Sequence, residues 1–564
     1  MSKRLRAVAM AIAISLSVMA GASTAAAQNA APPIVTISQG ALAGLRDANG
    51  TESFKGIPYA AAPVGDLRWK PPIAAAGWSG TRDATAFGAS CIQPLAPAKG
   101  LYSDNPDKMS EDCLSLNVWR PANARKLPVI VWIYGGALWF GSSAEPIYDG
   151  GNFAAHGVVF VSFNYRLGPL GWMALPELSA ESPQGVSGNY GLLDQIAALK
   201  WVRDNVAAFG GDPGNVTIMG ESAGALSASY LLSSPLARGL FQKAIVESPN
   251  ARSFPELKRP DHGLPSAEQI GTALERALGA GNLKELRAID AQRLTNVVER
   301  TRYRAEGTID GWALPRQIVE VFDRGEEAHV PLLAGFNSGE VQSQPLSLVP
   351  EPPSPQAYEK VIKAKYGDLA PAFLKQYPSS DVHASTLATL RDAIYGWSAE
   401  RLVRKEVEAG VPAYLYVFDH DYAAARAMGL RAFHASEVPF VFGHIGADAG
   451  LPPNWPHPDG AEDRALSDAM MSYWVSFART GTPQAAGEPA WPTFQPGKHY
   501  MLFDRTPVAS VDPYPGMYEL NEETVARRRR AGDQPWFVNV GAAAIPAIPG
   551  PAPDTSADKR GGTP

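Results

Sequence analysis

The run from Asn215 to Ala225, Asn-Val-Thr-Ile-Met-Gly-Glu-Ser-Ala-Gly-Ala, constrains the fold of this 564-residue chain more than any other stretch. Val216 to Met219 is short, apolar and rich in β-branched residues, the pattern of a buried strand. It stops at Gly220, and Ala223 to Leu232, rich in Ala and Leu, then reads as a helix. Between them Gly220-Glu221-Ser222-Ala223-Gly224 matches G-x-S-x-G, a turn in which a strand passes directly into a helix. Such a turn crowds the backbone around its central residue, so side chains two positions either side would collide. Glycine at both places lets the serine hydroxyl stand clear of the turn, with the N–H of Ala223 facing the same space. Two glycines and a serine at fixed spacing are a weak signal alone, because a Gly-rich strand–helix turn gives the same letters. The surrounding chain has to decide between the two readings.

On either side the chain repeats the strand–helix alternation. Leu127 to Tyr134 and Val158 to Asn164 are strongly apolar strand candidates, followed respectively by Gly135-Gly136-Ala137 and Tyr165-Arg166. From Gly191 to Phe209, Leu192, Leu193, Ile196, Leu199, Trp201 and Val202 recur at helical spacing. Phe241 to Glu247, Val330 to Asn337 and Pro412 to Phe418 are further apolar runs. Strands apolar on both faces and separated by helices predict an α/β fold: a mostly parallel sheet covered by helices on both sides. Functional groups in such sheets gather beyond the carboxyl ends of the strands. The length would allow several domains, but no linker, repeat or composition shift interrupts the chain before its end. A hydrophobic content of 45% supports one large core, so a single elaborated domain over residues 28–540 is expected. From about Gly541 to Pro564, Ala, Pro and Gly dominate, which predicts a disordered tail.

The first residues carry a different message. Lys3, Arg4 and Arg6 precede an uncharged apolar run from Ala7 to Ala20, and Ala25-Ala26-Ala27 ahead of Gln28 fits a cleavage site. Residues 1–27 are therefore expected to be a secretory signal peptide, with the mature protein periplasmic or extracellular. The run is too short and Ala-rich for a membrane anchor, and no later stretch suits a membrane span. The formal charge is −6, and losing this leader leaves the chain more acidic still. That balance gives no reason to expect nucleic acid or an anionic membrane as a partner. The two cysteines, Cys91 and Cys113, both fall in the exported part, where one disulfide is the simplest state and a pair of buried free thiols the alternative.

Serine is a poor nucleophile without an adjacent base, itself oriented by a third group. On a sheet of this kind the chain order is serine, acid, histidine. Glu340 is the first acid beyond the strand ending at Asn337. After the strand ending at Phe418 come His420, His434 and His444, and position alone does not choose among them. His383 lies in a helical segment before that strand and is set aside.

The chain resembles the type-B carboxylesterase/lipase family, and within it the bacterial para-nitrobenzyl esterases. The resemblance runs from about Val35 to Phe503. It is carried by Phe54-Lys55-Gly56-Ile57-Pro58-Tyr59-Ala60, Glu111-Asp112-Cys113-Leu114-Ser115-Leu116-Asn117, Tyr134-Gly135-Gly136-Ala137, Asn164-Tyr165-Arg166-Leu167-Gly168 and Phe209-Gly210-Gly211-Asp212-Pro213, in the family's order. It implies the α/β-hydrolase fold and a serine esterase acting on small esters through an acyl-enzyme, with no cofactor. The family's histidine stands ahead of Glu-x-x-Phe-Val-Phe-Gly, which His434 to Gly443 match, so the resemblance selects His434. Its acid motif is matched in part by Asn337 to Val341, which selects Glu340. By the same resemblance the oxyanion hole is formed by the N–H groups of Gly136, Ala137 and Ala223. Gly339 and Val341 stand where the family has Asp and Gly, Pro249 where it has Gly after Glu247-Ser248, and Ala225 where it has Gly.

Beside Ser222, Glu221 would either tune the field at the reacting atoms or satisfy buried backbone donors. Family members that act on choline esters use a tryptophan in the disulfide loop. Here the only aromatic residue between Cys91 and Cys113 is Tyr102, expected at the surface, so uncharged esters are expected as substrates. Arg527 to Arg530, following Glu522 and Glu523, read as a solvated helix face. No metal-ligand cluster, phosphate loop or dinucleotide fingerprint is legible, so no metal or cofactor is expected. A monomer is the simplest assembly. The competing class is a non-catalytic binding or adhesion protein on the same fold.

Overall fold

The computed structural model describes residues 31–551 apart from 97–98, 252, 262, 298–300, 302, 345–350 and 533–539. The expected leader, 1–27, and the chain beyond 551 lie outside the described residues. The main sheet has eleven strands, numbered here in chain order. They are β1 (Leu45–Arg46), β2 (Thr51–Pro58), β3 (Ser115–Pro121), β4 (Leu127–Ile133), β5 (Val159–Phe163), β6 (Gly211–Glu221), β7 (Lys243–Glu247), β8 (Leu332–Asn337), β9 (Ala413–Phe418), β10 (His499–Phe503) and β11 (Pro507–Val511). Their spatial order is β11-β10-β9-β8-β7-β6-β4-β5-β3-β2-β1. Strands β5, β4, β6, β7, β8, β9 and β10 run parallel, and the pairs at the two margins are antiparallel. A three-stranded sheet built from Ile34–Ile37, Gly40–Ala43 and Thr81–Asp83 stands beside it.

The apolar runs become the central strands because their residues are buried on both faces. β5, β7, β8 and β9 are buried along their whole lengths, and β4 is buried after its first residue. Helices α1 (Tyr190–Asn205), α2 (Ala223–Ser233), α3 (Ile318–Asp323), α4 (Pro355–Tyr366), α5 (Val382–Arg391), α6 (Trp397–Glu408), α7 (Val438–Phe442), α8 (Ala461–Thr480) and α9 (Met517–Arg530) supply the cover. α2 packs on β4, β6 and β7, α6 on β8 and β9, and α8 on β4 and β6. Cys91 and Cys113 are joined in a disulfide. Among the described residues, no helix is long and apolar enough to cross a membrane.

Two expectations about the end of the chain are corrected. The segment expected to lose structure from Gly541 instead packs as far as Pro549. The Gly541 N–H donates to the Tyr366 hydroxyl at 2.8 Å, and the Ile548 N–H to the Lys365 carbonyl at 2.7 Å. Ala544 and Ile548 are buried with Tyr358, Ile362 and Phe373. Arg527 and Arg528, read as part of a solvated face, are 5% and 1% exposed. Arg527 donates to Asp368 at 2.7 Å and to the Pro549 carbonyl at 3.2 Å, while Arg528 donates to the Pro546 carbonyl at 3.3 Å. The returning chain accepts a hydrogen bond from each of these arginines, a long-range contact invisible to local composition.

Candidate active site

β6 ends at Glu221, and Ser222 occupies a backbone conformation that side chains rarely adopt, with φ 55° and ψ −117°. The N–H of Ser222 donates to the Glu247 carbonyl at 3.0 Å, which pins the turn to β7. A Cβ on Gly220 would lie 2.5 Å from the backbone carbon of Gly224, and one on Gly224 only 1.9 Å from the Ile133 carbonyl oxygen. Both glycines are therefore steric requirements of the turn.

The serine, glutamate and one of the three candidate histidines converge. The Ser222 hydroxyl lies 2.9 Å from His434 Nε2, and His434 Nδ1 meets Glu340 Oε2 in a short hydrogen bond. Glu340 is fully buried and is itself held, because its Oε1 accepts from the Ser248 hydroxyl at 2.6 Å and from the Asn337 N–H at 2.9 Å. The loop carrying Glu340 is also tied to the histidine loop: the Gly339 N–H donates to the Ala432 carbonyl at 2.8 Å, and Asn337 Nδ2 to the Phe433 carbonyl at 2.7 Å. A Cβ at position 339 would come within 2.8 Å of the Ala432 oxygen, so the departure to glycine there permits this close approach.

The other histidines are elsewhere. His420 pairs with Asp463 at 2.6 Å in a buried contact, the His444 ring nitrogens face the Ala449 and Asp149 carbonyl oxygens at 2.9 and 3.3 Å, and His383 lies exposed beside Glu351.

After β4, Gly136 has φ 93° and Ala137 φ 56°. A Cβ on Gly136 would sit 2.4 Å from the Phe140 carbonyl oxygen, and one on Gly135 would sit 3.2 Å from Ser222 Cβ. Gly136, Ala137 and Ala223 line the same cavity as Ser222. None of their N–H groups donates to an acceptor among the described residues. The turn thus brings backbone donors toward the serine, the arrangement that can stabilise charge developing on an acyl oxygen.

Glu221 Oε1 lies 3.2 Å from His434 Nε2 and has no hydrogen-bond partner among the described residues. Of the two readings of Glu221, this geometry favours an electrostatic one. Burial raises the Glu221 carboxyl and Glu340 adds to the rise, against the imidazole's pull downward, so that it stands at about 7. For His434, burial alone pushes the imidazole down. The carboxylates of Glu221 and Glu340, with the Glu340 hydrogen bond, outweigh that and hold it at about 9. Deeper still, burial pushes Glu247 up to about 8 and Glu437 well above the usual carboxyl range, the neighbouring Glu221 contributing to both.

The site opens into a cavity of about 800 Å³, walled by Phe140, Tyr148, Leu226, Leu390, Ile394 and Trp455 among others. Tyr102 is 40% exposed, as expected of a surface residue, and also lines the cavity. It donates to the His434 carbonyl at 2.9 Å and packs edge-on to Trp455 at 5.6 Å between ring centres. The sequence offered a hint in its position inside the disulfide loop, but contact with His434 spans 332 residues. Tyr395 was missed altogether. Its ring lies 5.0 Å from that of His434, delivered by a π-helical turn, Asp392–Gly396, between α5 and α6. Such turns recur at functional sites, but no local residue pattern announces them.

With the geometry established, the relatives of the chain decide its class. The sequence pattern of the carboxylesterase family matches residues 31–516. The chain belongs to the carboxylesterase family. It is 38% identical over 515 residues to the fumonisin B1 esterase of Sphingopyxis macrogoltabida, covering 88% of this chain and 91% of that protein. To the para-nitrobenzyl esterase of Bacillus subtilis it is 35% identical over 500 residues, covering 85% and 96%. A solved para-nitrobenzyl esterase structure superposes with a TM-score of 0.75 at 33% identity, covering 86% of this chain and 99% of that one. The Geobacillus stearothermophilus carboxylesterase gives 0.72 at the same identity and coverage. As a carboxylesterase the chain has the α/β-hydrolase fold and is a serine carboxylic ester hydrolase.

Proposed function

We propose that the chain hydrolyses uncharged carboxylic esters through an acyl-enzyme on Ser222, with His434 as base and Glu340 as its anchor. The observation that carries this is the hydrogen-bonded line from buried Glu340 through His434 to the Ser222 hydroxyl at the floor of the cavity. His434 Nε2 takes the Ser222 proton as Oγ bonds to the ester carbonyl carbon. The carbonyl oxygen becomes an oxyanion facing the N–H groups of Gly136, Ala137 and Ala223. His434 then returns the proton to the alcohol oxygen as the C–O bond breaks and the alcohol leaves. Water repeats the sequence on the acyl-serine, releasing the acid and regenerating Ser222. Glu340 holds the imidazole with Nε2 facing the serine and balances the imidazolium.

The charge of the substrate follows from the walls. Apart from the triad histidine, none of the described lining residues is basic, while Asp104, Glu145 and Glu221 are acidic, which disfavours an anionic substrate. Burial, with Asp104 adding to it, raises the lining Glu145 to about 8, so this carboxyl is mostly neutral at pH 7 and leaves Asp104 as the lining acid away from the triad. Trp455, the tryptophan of the wall, is packed against Tyr102 and Phe433. The discriminating experiment compares kcat/KM for a choline ester with its isosteric 3,3-dimethylbutyl ester. Equal values, or a preference for the neutral ester, are expected; a clear preference for choline would overturn the neutral-substrate reading.

Export is part of the same proposal. The leader-like composition of residues 1–27 and the Cys91–Cys113 disulfide support a periplasmic or extracellular enzyme. N-terminal sequencing of protein from outside the cytoplasm should begin near Gln28, and an intact Met1 there would contradict it.

A further inference from the structure

Far from the cavity, at the amino end of β8, three side chains meet. Glu327 and His329 lie on the segment between α3 and β8, and Glu406 on the last turn of α6. The two carboxyl groups are 1% and 0% exposed, and none of their four oxygens has a hydrogen-bond partner among the described residues. A pair of buried, unsatisfied carboxyls is costly unless something neutralises them. The neighbouring cations do not hydrogen-bond to them: Arg238 donates to the backbone carbonyls of Glu326 and Glu327, and Lys405 pairs with Asp323 and Glu408.

His329 Nδ1 lies 3.6 Å from Glu327 Oε1 and 3.9 Å from Glu406 Oε2. One donor atom from each of the three residues fits within a span of 4.8 Å. Ligands on a tetrahedral zinc ion at ordinary bond lengths stand about 3.3 Å apart, so seating one needs closure by roughly half an ångström at the imidazole and by up to about 1.5 Å on the widest span, which the exposed His329 side chain and a carboxyl rotation can supply. We propose that Glu327, His329 and Glu406 form a binding site for a divalent cation of the zinc class. Two carboxylates neutralise the ion's charge, and the imidazole favours zinc over calcium or magnesium. His329, with 43% of its side chain exposed, leaves a route for the ion and for a water as fourth ligand.

The role is structural, because the site is at the opposite end of β8 from Glu340. The ion would clasp the end of α6 to the chain entering β8. That chain is already bonded to α2 by the Ala328 N–H and Leu232 carbonyl at 2.8 Å. No local pattern announces the site, because the ligands combine a Glu-x-His pair with a glutamate remote in the chain.

The test uses the full chain stripped with EDTA and titrated with zinc by calorimetry, with manganese and calcium in parallel. Thermal unfolding is followed with and without zinc. One equivalent of zinc should bind, more tightly than calcium, and raise Tm by several degrees. His329→Asn and Glu406→Gln should each lose that equivalent and the zinc-dependent rise. The metal-free Tm of Glu406→Gln should match or exceed that of the metal-free wild type, since an amide removes a buried acid. Esterase activity per folded molecule should be unchanged in both variants. No zinc-dependent rise in wild type, or the same rise in His329→Asn, would overturn the site. The first result would leave a carboxyl pair sharing a proton, the second a zinc bound elsewhere.

Discussion

At the residue scale the account rests on three side chains and on the carboxyl that faces them. Glu340→Gln keeps the size and most of the hydrogen bonds of the buried acid but removes its charge and offers the wrong group to His434 Nδ1. Turnover should fall by about 10³–10⁴-fold with little change in Tm, as judged by steady-state kinetics and thermal unfolding. Near-wild-type turnover would place the acid elsewhere. Glu221→Gln makes a different prediction. The base must be unprotonated to take the Ser222 proton, so kcat/KM rises with pH through the imidazole's titration in the free enzyme. The Glu221 charge, with Oε1 3.2 Å from Nε2, helps hold that imidazole at about 9. Removing the charge lowers the imidazole pKa, so the acid limb of the kcat/KM profile should move to lower pH. A limb that stays in place would show that Glu221 does not act on His434. Ser222 was legible from its motif, whereas chain order left His420, His434 and His444 open and the family resemblance was needed to select His434 and Glu340. Tyr102 and Tyr395 were not legible, since each reaches His434 across a distance in sequence that no local pattern encodes.

At the element scale the elbow and the disulfide loop do the positioning. Apolar runs flanked by glycines located the central strands to within a few residues: Leu127 to Tyr134 became β4, and Pro412 to Phe418 became β9. The elbow strand began earlier than its apolar letters, at Gly211, which pairs with Leu127 across a register shift before the regular pairing resumes at Val216. The short antiparallel strands at the margins carry little periodicity and were not foreseen. The disulfide loop holds Tyr102 against the His434 carbonyl. Replacing Cys91 and Cys113 together by serine should destabilise the protein by about 3 kcal/mol on the loop-entropy model, read as a fall in Tm. Because Tyr102 loses its anchorage, kcat should fall at temperatures where the variant remains folded. An unchanged Tm would mean that the bridge constrains nothing the fold does not already fix.

At the scale of the whole molecule, one sheet gathers groups that are far apart in the chain. Gly136, Ser222, Glu340 and the loop leading to His434 all follow parallel strands at the same edge, so the cavity lies where the topology requires it. Single-domain architecture was legible from uniform composition. The packed segment from Gly541 to Pro549 was not, because its few apolar residues matter only against α4 and the arginines of α9. The central claim is that this architecture activates Ser222 for attack. Intact protein treated with a fluorophosphonate, then digested and analysed by mass spectrometry, tests it directly. Stoichiometric phosphonylation on Ser222, abolished in Ser222→Ala, is the predicted result. A folded wild-type protein that is not labelled would contradict the account and favour a binding protein built on the same fold.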